Sequence, residues 1–393
     1  MNKQDLRSVI LEYLFRNGNC SRPEIVEITG MRPGTVFDEV NRLKQQGCVL
    51  EPARAGKYTG RKAPVLMLNP DYLWTVGIDF QVHRTIGVIA DFTGAIQCSA
   101  EVPAVARKNL TGCRNEVREI LQQLHAQTGK SWEKIHGIGF ADPGLVDVSS
   151  GKSIRAVQVP GWEDIETGKW LTEENHLASG VWPECMIKTF MEYQVRAGKN
   201  VGSLFHVGMD DGIGGGYISR NGECFTGDTN QAMEIGHIVI DPEGPLCQCG
   251  SRGCLEAIAG KKGISRKIRE MINNGVDTVM KLDSEQNFDF HSFGEWAQYD
   301  KAARIIAGDV SRSIGQALAA AVTLLNPSII VFSGELTSLG NQLLEPVREM
   351  LNNNCFSGVV KDLKIELSTL NREDTARGAA ILMRNKLMKN EEF

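Results

Sequence analysis

The segment Glu234-Ile235-Gly236-His237, followed after nine residues by Cys247-Gln248-Cys249-Gly250-Ser251-Arg252-Gly253-Cys254-Leu255-Glu256, is the most specific stretch of this chain. One imidazole and three thiolates form a common tetrahedral zinc set, with all four places filled by protein and none left for an activated water. His237, Cys247, Cys249 and Cys254 are therefore read as ligands of a structural Zn2+ that pins the loop carrying Glu256. The alternative is a chance cluster of cytosolic thiols and a histidine, and the turn glycines of Cys-x-Cys-Gly-x-x-Gly-Cys weigh against it. The remaining cysteines of the chain's ten are scattered, as in a reducing cytosol.

Outward from this segment the chain alternates short β-rich runs with helical patterns. On the N-terminal side, Thr75-Val76-Gly77-Ile78-Asp79-Phe80 and Ile86-Gly87-Val88-Ile89-Ala90 read as a hairpin. A helix near Cys113 to Thr128 follows, then the strand Ile135 to Phe140 leading into Asp142-Pro143-Gly144. A second such set begins at Leu204-Phe205-His206-Val207-Gly208 and ends at Ser328 to Glu335. Alternation of this kind predicts an α/β fold with two related halves. The expected division is a head over residues 1–70, a first lobe over 71–195 and a second lobe over 196–393.

The head has a different pattern. Leu6, Val9, Ile10, Tyr13 and Leu14 recur at three- and four-residue spacing, one face of an amphipathic helix. Ser21 with Glu24 has the form of a capping box opening a short helix that ends at Thr29-Gly30. Pro33 suits the first turn of a third helix, whose buried stripe is Val36, Val40 and Leu43 before Gly47. Two short helices around a glycine turn predict a helix-turn-helix. Cys48-Val49-Leu50 and Val65-Leu66-Met67-Leu68 then flank a basic loop, Ala55 to Lys62, read as a wing. The residues expected to meet DNA are Arg32, Thr35, Asn41, Arg42 and Lys44 on the third helix, with Gly60 and Arg61 of the wing entering a minor groove. The alternative is a three-helix protein-interaction module with a solvated basic face.

Charge supports the division. Residues 1–64 carry a net +4 and the rest of the chain −9, so a basic head sits on an acidic body. The content of 42% hydrophobic and 23% charged residues is that of a soluble protein. No apolar run is long enough to span a bilayer, and the first residues lack the pattern of a secretory signal. A cytoplasmic protein with no membrane partner is expected.

With the winged helix and Gly60-Arg61, Pro143-Gly144, Gly161-Trp162, the cysteine segment, Leu325-Asn326-Pro327 and Gly378-Ala379-Ala380, the sequence resembles the ROK family of repressors, open reading frames and sugar kinases. The likeness spans nearly the whole chain. It implies an actin-like ATPase (ribonuclease H-like) body of two α/β lobes with sugar bound in the cleft. It also implies zinc on His237, Cys247, Cys249 and Cys254, and sugar contacts from Gly144, Glu234, His237 and Glu256. Carboxylates and an imidazole suit vicinal hydroxyls, although Glu234 and Glu256 have the alternative role of orienting the metal loop.

The departures from the family's kinase pattern point away from catalysis. The first phosphate loop, Asp-x-Gly-x-Thr-Lys in family kinases, reads Asp79-Phe80-Gln81-Val82-His83-Arg84 here. The second, Gly-Thr-Gly-x-Gly, reads Asp210-Asp211-Gly212-Ile213-Gly214, with two carboxylates where phosphate would come. The catalytic Asn-Asp-Ala-Asn aligns with Pro183-Glu184-Cys185-Met186, leaving Glu184 as a degenerate position one methylene longer than the catalytic aspartate. The expected function is a sugar-responsive repressor, a homodimer or homotetramer on a double-stranded DNA operator, gated by a carbohydrate or sugar phosphate. Its rivals are an active sugar kinase and a ligand-blind DNA-binding scaffold.

Overall fold

The structure, a computed structural model, describes residues 3–52, 65–104, 109–196, 201–285 and 287–390. The head comprises α1 (Lys3–Asn17), β1 (Cys20–Ser21), α2 (Arg22–Thr29), α3 (Pro33–Gln45), β2 (Val49–Leu50) and β3 (Val65–Leu68). Its strands form one antiparallel sheet in the order β1-β3-β2. The Ser21/Glu24 capping box is present, Gly30 ends α2 in the left-handed region at φ 63°, and Pro33 stands in the first turn of α3. Leu6, Ile10 and Leu14 pack with Ile25, Val36, Val40, Leu43, Leu66 and Leu68 in a single core. The periodicity read in the head is the periodicity that is buried.

Two compact units are present. The first comprises Met1–Ile187 with Asn371–Phe393, and the second Lys188–Leu370. Beyond the head, the first unit runs β4 (Trp74–Phe80), β5 (Arg84–Ala90), β6 (Ile96–Pro103), α4 (Leu110–Thr128), β7 (Ile135–Asp142), β8 (Leu145–Asp147), β9 (Lys152–Arg155), β10 (Glu163–Ile165), α5 (Thr167–Asn175) and β11 (Ala178–Pro183), and α6 (Glu184–Gln194) crosses the division. The main sheet has the order β11-β7-β4-β5-β6, parallel across β11, β7 and β4 and antiparallel across β4, β5 and β6. Strands β4 and β5 form the hairpin read from the sequence.

The second unit runs β12 (Leu204–Met209), β13 (Ile213–Ile218), α7 (Leu255–Ala259), α8 (Lys261–Asn273), α9 (Phe290–Tyr299), α10 (Lys301–Leu325), β14 (Ile329–Ser333), α11 (Asn341–Asn354), α12 (Ser357–Val360) and β15 (Lys364–Leu367). Its sheet has the order β13-β12-β14-β15, and α10 supplies much of its core through Ile306, Val310, Ile314, Leu318 and Val322.

The C-terminal helix α13 (Asp374–Asn390) departs from the expected division. Assigned by sequence to a second lobe over 196–393, it lies in the first unit. Gly77 of β4 and Gly139 of β7 are register partners. A methyl at Gly77 would sit 1.8 Å from the carbonyl oxygen of Ala376, and one at Gly139 2.1 Å from that of Ala379. The bare glycine patch and the small face of α13 thus bring backbone against backbone, with Ala376 and Ala380 buried on Ile86, Val88 and Ala90. That pairing joins residues some 300 positions apart, as in the bond from Thr75 Oγ1 to the carbonyl of Ala380 at 2.9 Å, and no local pattern announces it.

Candidate functional site

The cysteine segment folds into a compact knuckle. The Cys247 amide donates to the carbonyl of Ser251 (2.8 Å) and the Gly250 amide to that of Cys247 (3.0 Å). Gly253, at φ 65°, brings its backbone so close to Asp241 that a methyl there would lie 1.5 Å from the Asp241 carbonyl oxygen. This folding draws the ligand atoms of His237, Cys247, Cys249 and Cys254 within 4.8 Å of one another. Cys247 Sγ lies 3.7 Å from His237 Nδ1, and Cys249 Sγ 3.7 Å from Cys254 Sγ. A tetrahedron with bonds of about 2.3 Å to sulfur and about 2.0 Å to nitrogen has edges of roughly 3.5 to 3.8 Å. A disulfide, at about 2.05 Å, is excluded. The donor set therefore fits a four-coordinate metal.

Cys254 is also the residue preceding α7, so the knuckle fixes the helix that carries Glu256 in its first turn. The Glu256 carboxylate accepts the Ile213 amide at 2.9 Å. Glu234 immediately precedes the short turn holding His237. Protein crowding around its carboxyl raises its pKa; His237 opposes the rise and Glu256 adds to it. Glu234, His237 and Glu256 thus share one neighbourhood in the second unit. Gly144 belongs to the first unit. Its amide donates to Asp142 Oδ1 at 2.9 Å, and a methyl there would lie 2.2 Å from the carbonyl oxygen of Arg155.

Asp142, missed by sequence reasoning, organises that loop. It is fully buried, and burial raises its pKa against hydrogen bonds from Ser153, from Trp162 Nε1 (2.7 Å) and from the Gly144 amide. The signal is present in Asp142-Pro143-Gly144 and Gly161-Trp162, but the bond between the two motifs is tertiary. Glu184 stands in the first turn of α6, directly after β11.

In both segments read as altered phosphate loops, the chain's own side chains bond to one another. In the first, Gln81 donates to Asp79 (2.6 Å) and Arg84 to Gln81 (2.8 Å). In the second, each of the two carboxylates expected where phosphate would come is paired within the chain. Asp210 accepts from Lys188 Nζ and from the Glu335 amide, both at 3.0 Å, and Asp211 pairs with Lys261 at 2.9 Å. Burial raises the pKa of Asp210, but the Lys188 charge and these bonds outweigh it and hold the carboxyl below its ordinary range. Two internal ion pairs therefore accompany the carboxylates of this loop.

In the head, Arg32, Asn41, Arg42 and Lys44 are exposed and Thr35 is half-buried. Gly60 and Arg61 lie outside the described residues. Asn41 and Lys44 are already engaged. Arg22 grips Glu51 at 3.0 and 2.9 Å, donates to Asn41 Oδ1 at 3.0 Å and lies 5.1 Å over the Phe37 ring, while Lys44 pairs with the same Glu51. Hydrogen bonds from Arg22 lead the effects that bring the Glu51 pKa down to about 2. Arg42 lies 3.8 Å from Glu39.

The model of the ROK family matches residues 75–386. The chain belongs to the ROK family. It is 24% identical over 393 residues to a protein named putative xylose repressor from Caldicellulosiruptor sp. (strain Rt8B.4), covering all of this chain and 98% of that one. It is 26% identical over 389 residues to the DNA-binding transcriptional dual regulator NagC of Escherichia coli (strain K12), covering 98% and 94%. Among solved structures, it is similar to a ROK family transcriptional regulator described as a homolog of the E. coli MLC protein, with a TM-score of 0.84, 18% identity, and 99% and 98% of the two chains covered. A ROK family glucokinase from Streptomyces griseus, solved with glucose and AMPPNP, has a TM-score of 0.67 at 22% identity and covers 79% of this chain with 99% of its own. The fold of this ROK protein is accordingly actin-like, with a helix-turn-helix head. Among the described residues, no helix is long and apolar enough to cross a membrane.

Proposed function

We propose that this ROK protein is a sugar-responsive, DNA-binding transcriptional repressor without kinase activity, and that it works in the cytoplasm as a homodimer or homotetramer. The observation that carries the reading is its end-to-end match with a putative xylose repressor and with a DNA-binding transcriptional dual regulator, head included. The altered phosphate-loop segments support it: Gln81 and Arg84 hydrogen-bond within one, and the Lys188–Asp210 and Lys261–Asp211 pairs stand at the other. Zn2+ on His237, Cys247, Cys249 and Cys254 holds α7, and a carbohydrate or sugar phosphate meets Glu234, His237 and Glu256 of the second unit. Arg32, Thr35 and Arg42, with Gly60 and Arg61 of the wing, contact an operator whose symmetry matches the oligomer. Effector and operator then need only differential affinity for two states of the protein.

Thermal unfolding of the zinc-loaded protein across a panel of sugars, sugar phosphates and ATP tests this, because a ligand of the native state raises the midpoint. A shift with one sugar and none with ATP is expected. A shift that requires ATP would reinstate the kinase, and no shift with any sugar would leave a ligand-blind DNA-binding protein.

A further inference from the structure

The recognition face of α3 is divided in two. Phe37, Asn41 and Lys44, spaced i, i+4, i+7, form one stripe, and every member is engaged by the Arg22–Glu51 pair or its partners. At about 100° per residue, Thr35, Asp38 and Arg42 form a second stripe, with Asp38 nearly opposite the buried Val36, Val40 and Leu43. Arg32, preceding the first turn, joins this side of the helix. Among the described residues, the side chains of Arg32, Thr35 and Asp38 have no hydrogen-bond or ion-pair partner. Clamping one stripe orients the helix and leaves Thr35 and Asp38 of the other to read.

An exposed carboxylate at the centre of a face directed at DNA is costly beside phosphates unless it finds a donor. The base-edge donor suited to it is the exocyclic N4 amino group of cytosine in the major groove. We propose that Asp38 is a specificity-determining residue that accepts a hydrogen bond from cytosine N4 at one position of each half-site, while Arg22 and Glu51 hold α3 in the reading orientation. Asn41, whose amide oxygen is taken by Arg22, sits on the clamped stripe and does not set base preference. This rests on the reading of the head as DNA-binding.

Selection of binding sites from a random duplex pool by the full-length, zinc-loaded protein tests it, since such a selection does not require the operator to be specified. The wild type is expected to return a consensus with cytosine at one half-site position. Asp38→Ala is expected to lose about 5- to 150-fold of discrimination at that position alone, the range that one mismatched base pair in a site costs. Its affinity for random DNA should not fall, and its salt dependence should not change, because no cation is removed. Asn41→Ala should keep the wild-type consensus. An unchanged consensus with Asp38→Ala, or a uniform loss over all sequences, would overturn the role of Asp38 while leaving the head a DNA reader. Failure of the folded wild type to return any consensus would remove the DNA-binding reading itself.

Discussion

His206 lies in the middle of β12, fully buried, with Nε2 2.7 Å from Ser333 Oγ and Nδ1 3.3 Å from Thr189 Oγ1. Burial, aided by the nearby Lys188 charge, lowers its pKa from 6.5 to about 3. Between those values the unfolded chain takes up a proton that the folded chain refuses, so this residue's contribution is complete above pH 6.5 and is lost as pH falls toward 3. His206→Gln should therefore flatten the fall of the melting temperature between pH 6.5 and 5 relative to wild type; parallel curves would refute it. Gly253 offers a second test at this scale. Its positive φ and the 1.5 Å approach to the Asp241 carbonyl leave no room for a side chain, so Gly253→Ala should bring bound metal well below one ion per chain in the purified protein, measured by elemental analysis. Both positions look ordinary as letters: a histidine in an apolar strand and a glycine between two ligands acquire their meaning from what packs beside them.

Local signals are most legible in the head's helices. The capping box of α2 can be read from Ser21 and Glu24 because its partners are three residues apart, and Ser21→Ala should cost about 1 kcal/mol of head stability, read by urea unfolding followed at α1–α3. The clamp on α3 is not legible in this way, since Arg22 is separated from Asn41 and Glu51 by 19 and 29 positions. Because the Glu51 pKa falls from 4.5 to about 2 on folding, its stabilising contribution is present above pH 4.5 and disappears as pH drops toward 2. Glu51→Gln should remove that acid-dependent part of head stability, as followed by circular dichroism during acid titration. The knuckle is equally legible as an element, because the metal donors lie within one short run of chain, His237 to Cys254, that needs only tight turns to close.

At the scale of the molecule, α13 decides the organisation. Its Arg384, 5% exposed, lies 4.1 Å over the Phe15 ring of α1 and 5.7 Å over that of Phe92, and donates to the Phe92 carbonyl at 2.9 Å. Burial lowers its pKa to about 10, a value at which it stays charged at neutral pH. The last helix of the chain therefore ties the head to the sheet of the first unit. Arg384→Ala should destabilise the first unit by about 2 to 4 kcal/mol, through lost packing and an unpaired carbonyl. Hydrogen exchange should register this as faster exchange in α1, with the amides of β12 and β14 in the second unit unaffected.

By itself the sequence determined the elements and their chemistry: the helix-turn-helix periodicity, the capping box, the hairpin of β4 and β5, the metal donor set and the altered phosphate loops. These depend on spacings of a few residues, where helix and strand geometry dictate which side chains meet. Only the tertiary structure decided that α13 returns to the first unit, that Lys188 and Lys261 neutralise Asp210 and Asp211, and that Asn41 and Lys44 are bound to the Arg22–Glu51 pair. Each of these depends on partners far apart in the chain, brought together by burial of apolar surface, which is non-directional and leaves no periodic trace of which element will cover which.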